Sequence, residues 1–218
     1  MTTLSGPMLP PRSGVAPRQI VVLLHGYGSD GSDLIALASH WQELLPDALF
    51  VSPNAPDTTR ENPLGFQWFA LDINRAASRL TNLPGAVPVV VEFLNALWAQ
   101  TRLAAADTIL AGFSQGAMMA LHVGLALPEP PMGIIAFSGA LVEPENLARK
   151  AGAKPPVCLV HGALDEVVEA RYCAEAAEKL TALGYSVSHH VSDGVGHSIA
   201  PDGLSFAGAF IAGLPASP

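Results

Sequence analysis

Three residue types that together make a serine nucleophilic stand in this chain in a usable order: Ser114, then Asp165, then His197. Serine attacks poorly at neutral pH, so it needs an imidazole to take its proton and a carboxylate to orient that imidazole. Ser114 stands out because glycines bracket it in Gly112-Phe113-Ser114-Gln115-Gly116. The apolar run Ile109-Leu110-Ala111 precedes this pentapeptide, and the helix formers Ala117-Met118-Met119-Ala120 follow it. A strand that enters a helix through one tight residue strains that residue, and the two glycines omit the Cβ atoms that would collide across the turn. The bare pattern arises by chance in a glycine-rich chain, so the flanks carry the reading. They place the Ser114 hydroxyl above the edge of a sheet.

This elbow resembles that of α/β-hydrolase sheets, in which the serine's partners follow in the order acid, then histidine, each on a loop at a strand's C-terminal end. His197 fits as the base, because it lies in the glycine-rich loop Asp193-Gly194-Val195-Gly196-His197 after the last strand-like run. His40 and His122 fall within helices, and His189 and His190 alternate sides of a strand. His25 and His161 end strands beside glycines, where a structural hydrogen bond to loop backbone is the expected role. Asp165 competes as the acid with Glu166, Asp193 and Asp202. Asp193 shares the loop of His197, a poor crossing brace, whereas Asp165 follows a different strand. An Asp there also caps the helix that follows.

A tetrahedral oxyanion needs two backbone donors, the N–H after the nucleophile and one from the loop after an early strand. These are the amides of Gln115 and of Tyr27, in His25-Gly26-Tyr27-Gly28. The same loop reads as a dinucleotide fingerprint, Gly26-Tyr27-Gly28-Ser29-Asp30-Gly31. That reading requires a ribose-binding carboxylate at the end of the second strand, where the chain has Val51-Ser52-Pro53-Asn54 instead.

The elements that must hold these residues alternate in type. Residues 19–24, 48–51, 107–111, 132–137, 156–160 and 185–191 read as buried strands. Residues 33–45, 84–102, 117–127, 167–183 and 203–212 read as helices. Between residues 52 and 83 the chain is irregular, with Pro63 and Gly65 beside Phe66, Trp68 and Phe69. Alternation predicts a mostly parallel, doubly wound sheet with helices on both faces. One domain over residues 1–218 is expected, with residues 1–18 an extended, proline-containing segment.

Composition narrows the class. Half of the 218 residues are apolar and 14% are charged, as suits a sheet covered on both faces. A net charge of −8 without any Lys/Arg run leaves no footprint for nucleic acid. No apolar run suggests a signal peptide or a membrane span, so a cytoplasmic chain without stable membrane insertion is expected. Cys158 and Cys173 fit no metal spacing and read as small core residues.

Taken together, several motifs carry a resemblance. They are Leu24-His25-Gly26-Tyr27-Gly28, Pro53-Asn54-Ala55-Pro56, Trp68-Phe69, Gly112-Phe113-Ser114-Gln115-Gly116-Ala117, His161-Gly162 with Asp165 and Val167-Val168, and Gly196-His197-Ser198-Ile199. Over nearly its whole length the chain resembles the phospholipase/carboxylesterase family of α/β-hydrolases, which includes bacterial carboxylesterases and acyl-protein thioesterases. The resemblance implies an α/β-hydrolase fold with a short irregular loop in place of a large lid, and a Ser114–Asp165–His197 triad. It also implies an oxyanion hole at Tyr27 and Gln115, and hydrolysis of carboxylic esters of short to medium acyl chains without metal or cofactor. Thioesters and lysophospholipids are alternative substrates. It further implies that Trp68, Phe69, Leu71, Val167, Val168 and Ile199 wall the acyl site. The chain departs from the family at Tyr27, where relatives often carry an aliphatic residue; the donor is backbone, so the role survives. A binding protein that kept the scaffold but lost the chemistry would normally lack a triad residue, and none is missing. A small ester is the expected partner, and a homodimer is compatible with the chain.

Overall fold

The computed structural model describes residues 4–72, 74–142 and 153–215; residues 1–3 of the expected N-terminal segment and the last three residues lie outside these. The elements run β1 (Met8–Leu9), β2 (Gln19–Leu24), α1 (Gly31–Ile35), α2 (Ala38–Trp41), β3 (Ala48–Val51), β4 (Asp57–Thr58), β5 (Phe66–Gln67) and α3 (Arg75–Thr101). They continue with β6 (Thr108–Phe113), α4 (Gln115–Ala126), β7 (Gly133–Phe137), β8 (Val157–Gly162), α5 (Arg171–Ala182), β9 (Val187–Ser192) and α6 (Pro201–Ala212).

Among the described residues, seven strands form one sheet in the order β1-β3-β2-β6-β7-β8-β9. Every neighbouring pair is parallel except β1 with β3, where Met8 faces Val51. The strand pattern explains why both faces are covered. In β2, Ile20, Val22 and Leu24 join a core with Leu83, Val90 and Leu94 of α3 and with Met119 and Leu121 of α4. Val21 and Leu23 point to the opposite face and join Trp41 of α2 and Ala207 and Ile211 of α6. A strand buried on both faces must be apolar throughout, and each large side chain removed from water contributes about 1.5–3 kcal/mol.

Register brings the functional loops together. Leu24 pairs with Gly112, Phe113 with Phe137, Phe137 with Val160, and Gly162 with Ser192. The loops after β2, β6, β8 and β9 therefore leave the same edge of the sheet. The chain winds outward from β2 to β3 and then crosses to β6, so the β2/β6 boundary is the switch point where a crevice opens in such sheets.

Apart from shifts of a few residues at element ends, such as α5 beginning at Arg171 rather than at residue 167, the expected elements differ from the observed ones in four places. The helix expected at 33–45 is two short helices, because tight bonds such as Leu37 N–H to Leu34 O and His40 N–H to Leu37 O interrupt it. The helix expected at 84–102 begins at Arg75, where the Asn74 side chain accepts the Ala77 N–H. Pro84 and Pro88 lie inside it on its outer side, where the carbonyls they leave unpaired can be hydrated. The irregular stretch contains the β4–β5 ribbon, in which Asp57 pairs with Gln67. The extended N-terminus supplies the edge strand β1. Contrary to the expectation that no run approaches a membrane span, Ala77–Thr101 is long and apolar enough to cross one by length and composition. In the fold, its stripe of Leu83, Ala86, Val90, Leu94 and Leu97 packs into the core beside α4.

Candidate active site

Ser114 is the single residue between β6 and α4, and its backbone sits at φ 53° and ψ −115°. A side chain held there costs about 1–3 kcal/mol, which the surrounding fold must sustain. The glycines at this elbow are steric necessities. A Cβ on Gly112 would strike the backbone of Gly116, and one on Gly116 would strike the carbonyls of Leu24 and His25. The Ser114 N–H is anchored to Phe137 O at 2.9 Å, and Ser114 O accepts the first helical bond, from Met118 N–H.

The hydroxyl of Ser114 lies 2.9 Å from His197 Nε2, and His197 Nδ1 lies 2.7 Å from Asp165 Oδ2. The other Asp165 oxygen accepts the Val167 and Val168 N–H groups, both at 2.9 Å. Asp165 thus braces its own loop and the imidazole at once. Burial pushes its pKa up, but the hydrogen bonds from His197 and from the Val168 and Val167 amides outweigh this and hold it below the ordinary carboxylate value. Of the competing carboxylates, Asp202 pairs with His190 instead, at 2.7 Å.

Two further histidines act as supports, as expected from their places at strand ends. His25 Nδ1 lies 2.8 Å from Gly26 O, and its Nε2 accepts the Ala55 N–H. His161 donates from Nε2 to Val168 O at 2.7 Å and stands 3.4 Å from Asp165 Oδ2. Burial lowers the pKa of both rings, consistent with neutral imidazoles. The Phe113 ring packs against His197 with centroids 4.8 Å apart.

Above the elbow is a cleft of about 380 Å³. Gly26, Tyr27, Leu34, Leu37, Phe113 and Ile199 line it together with Ser114 and His197. Gly26 lets its loop approach, since a Cβ there would already stand 3.4 Å from Ser114 Cβ. As the first helical residue, Gln115 has an N–H with no intrahelical partner.

Of the six residues expected to wall the acyl site, Ile199 lines this cleft. Trp68, Phe69 and Val168 are instead buried in the core, at 1–3% exposure. Leu71 lines a neighbouring pocket that meets the cleft at Tyr27, and Val167 is exposed. The reason is a polar clamp that sequence reasoning missed. The buried Gln115 side chain accepts the Trp68 N–H at 2.8 Å and donates to Phe69 O at 2.7 Å, while Trp68 Nε1 donates to His25 O at 2.9 Å. The aromatic pair thereby fastens the irregular loop to the elbow rather than facing the cleft. A glutamine beside a nucleophile was the visible signal, but its partners lie 46 and 47 residues away.

A mostly parallel sheet covered by helices, with a strained strand-to-helix serine and its two partners on later loops, defines the α/β-hydrolase fold. The model of the phospholipase/carboxylesterase family matches residues 12–214. The chain belongs to that family. It is 30% identical to esterase YpfH of Escherichia coli (strain K12), over 87% of this chain and 80% of the relative. It is 26% identical to acyl-protein thioesterase 1 of Gibberella zeae, over 88% of each. Among solved structures, esterase PE8 superposes with a TM-score of 0.94 at 54% identity, covering 98% of this chain and all of that one.

Proposed function

We propose that this protein hydrolyses carboxylic esters of short to medium acyl chains through an acyl-enzyme, with Ser114, His197 and Asp165 as its catalytic triad. The observation that carries the reading is the continuous hydrogen-bonded line from Ser114 Oγ through His197 to Asp165. His197 Nε2 takes the hydroxyl proton as Ser114 Oγ bonds to the ester carbon, and Asp165 stabilises the imidazolium that results. The carbonyl oxygen becomes an oxyanion held by the Gln115 and Tyr27 amides. The carbon–oxygen bond to the alcohol then breaks, and His197 returns its proton to the departing oxygen. Water repeats the sequence on the acyl-serine and releases the acid. The residues present supply every acid, base and nucleophile these steps require.

Relatives named acyl-protein thioesterase favour a second substrate class, thioesters, cleaved by the same steps with a thiol as leaving group. The cytoplasm is the setting that two free, buried cysteines suit. The test is Ser114→Ala with p-nitrophenyl acetate as substrate: the variant should fold and lose hydrolysis, and full retained activity would sink the assignment.

A further inference from the structure

We propose that the apolar groove between α2 and α6 is the alcohol-side subsite of this centre, selecting esters whose leaving alcohol carries an apolar chain. The inference rests on Ser114 being the nucleophile and His197 its base.

The groove, of about 620 Å³, is walled by Leu37, Trp41, Leu44, Ile199, Leu204 and Gly208. It continues the Ser114 cleft, since Leu37 and Ile199 line both. No Asp, Glu, Lys or Arg is among the residues lining it; His40 and Ser205 contribute its polar side chains besides the Trp41 indole. In the floor, the buried Trp41 Nε1 has no hydrogen-bond partner among the described residues. Half-exposed Leu44 and the bare face of Gly208 cover it: a Cβ on Gly208 would stand 3.4 Å from Leu44 Cδ1 and 3.9 Å from Trp41 Nε1.

The chemistry decides which half of the ester enters. The leaving oxygen must lie within reach of His197 Nε2, because it takes its proton there. His197 leads through Ser198 into Ile199, so a carbon chain on that oxygen departs past Ile199 and Leu37 into the groove. The acyl half takes the vertex of the tetrahedral carbon left by the oxyanion and the leaving oxygen, on the side of the pocket that adjoins the cleft. That pocket carries Arg60, Glu61, Gln67, Asp72 and Asn82 beside Tyr27, Ala70 and Leu71, a more polar bed for a long apolar chain than the groove.

Two ester series test this: acetates of methyl, butyl and hexyl alcohol, and methyl esters of acetic, butyric and hexanoic acid. In the unsubstituted protein, kcat/KM should rise along the alcohol series, by at most about fourfold per methylene buried. Gly208→Leu should lower the hexyl-to-methyl alcohol ratio at least about tenfold and change the corresponding acyl ratio by less than about twofold. Gly208→Ala, whose Cβ meets only ordinary contacts and which favours helix, should lower the alcohol ratio to a smaller degree even if the leucine variant fails to fold. A flat alcohol series, an alcohol ratio unmoved by both variants, or a loss confined to the acyl series would overturn the inference. Hydrolysis that persists in Ser114→Ala would instead sink the nucleophile reading. Hydrolysis that requires Ser114 but ignores Gly208 would remove the groove alone.

Discussion

Replacing Gln115 by methionine separates what its side chain does from what its main chain does. The side chain is 2% exposed and satisfies two buried groups of the aromatic loop, the Trp68 N–H and the Phe69 carbonyl. Methionine has similar volume but makes neither bond, so the change isolates the polar clamp from packing. Each buried partner left unpaired costs about 1–3 kcal/mol, and two are left, so stability should fall by about 2–6 kcal/mol. For a chain of this size that lowers Tm by about 4–24 °C, read by thermal denaturation under circular dichroism. The Gln115 N–H is untouched, so kcat/KM well below the new Tm should fall by less than about tenfold, against the 10²–10³ typical of losing an oxyanion donor. An unchanged Tm would show that the clamp carries no load. An unchanged Tm with a thousandfold loss of rate would mean that the side chain itself serves catalysis.

Asp165→Asn should leave the loop bonds to Val167 and Val168 partly in place but misdirect the His197 tautomer, lowering kcat by about 10⁴-fold in steady-state assays. Its stability should also lose pH dependence on the acid side. The native Asp165 pKa is depressed, so its stabilising effect is present above the unfolded value of about 3.9 and is lost as pH falls through the lower folded value. Urea denaturation between pH 2 and 5 should therefore show a shallower slope in the variant. Tyr27→Phe removes the exposed hydrogen bond to Glu61, 2.5 Å in length, but keeps the amide. Its kcat should change by less than about fivefold and its stability by less than about 1 kcal/mol.

The parts of this fold that follow from burial on two faces were legible in the sequence. The run Gln19–Leu24 has no other use than a central strand, and Gly112 and Gly116 have no substitute at an elbow whose Cβ positions are filled by backbone. His197 and Asp165 could be singled out because the elbow resembles that of α/β-hydrolases, whose partners follow in the order acid, then histidine, and the structure brings both within hydrogen-bond reach of one another and of Ser114. The start of α3 was hidden because Pro84 imitates a first helical residue, whereas here it sits on a solvated face and Asn74 makes the true cap. The family resemblance implies Trp68 and Phe69 at the acyl wall, and aromatic residues in a loop near a site suit an apolar ligand and a core equally well. What turned them inward was a set of hydrogen bonds to Gln115 and His25, each spanning more than 40 residues, which no local pattern encodes.

Hydrolysis by this route passes through a covalent bond to Ser114. A fluorophosphonate reacts with an activated serine, so incubation followed by intact mass and peptide mapping should give one adduct, on Ser114, abolished by Ser114→Ala and greatly slowed by Asp165→Asn. An unlabelled protein that still hydrolyses p-nitrophenyl acetate, or an adduct on another residue, would contradict the account.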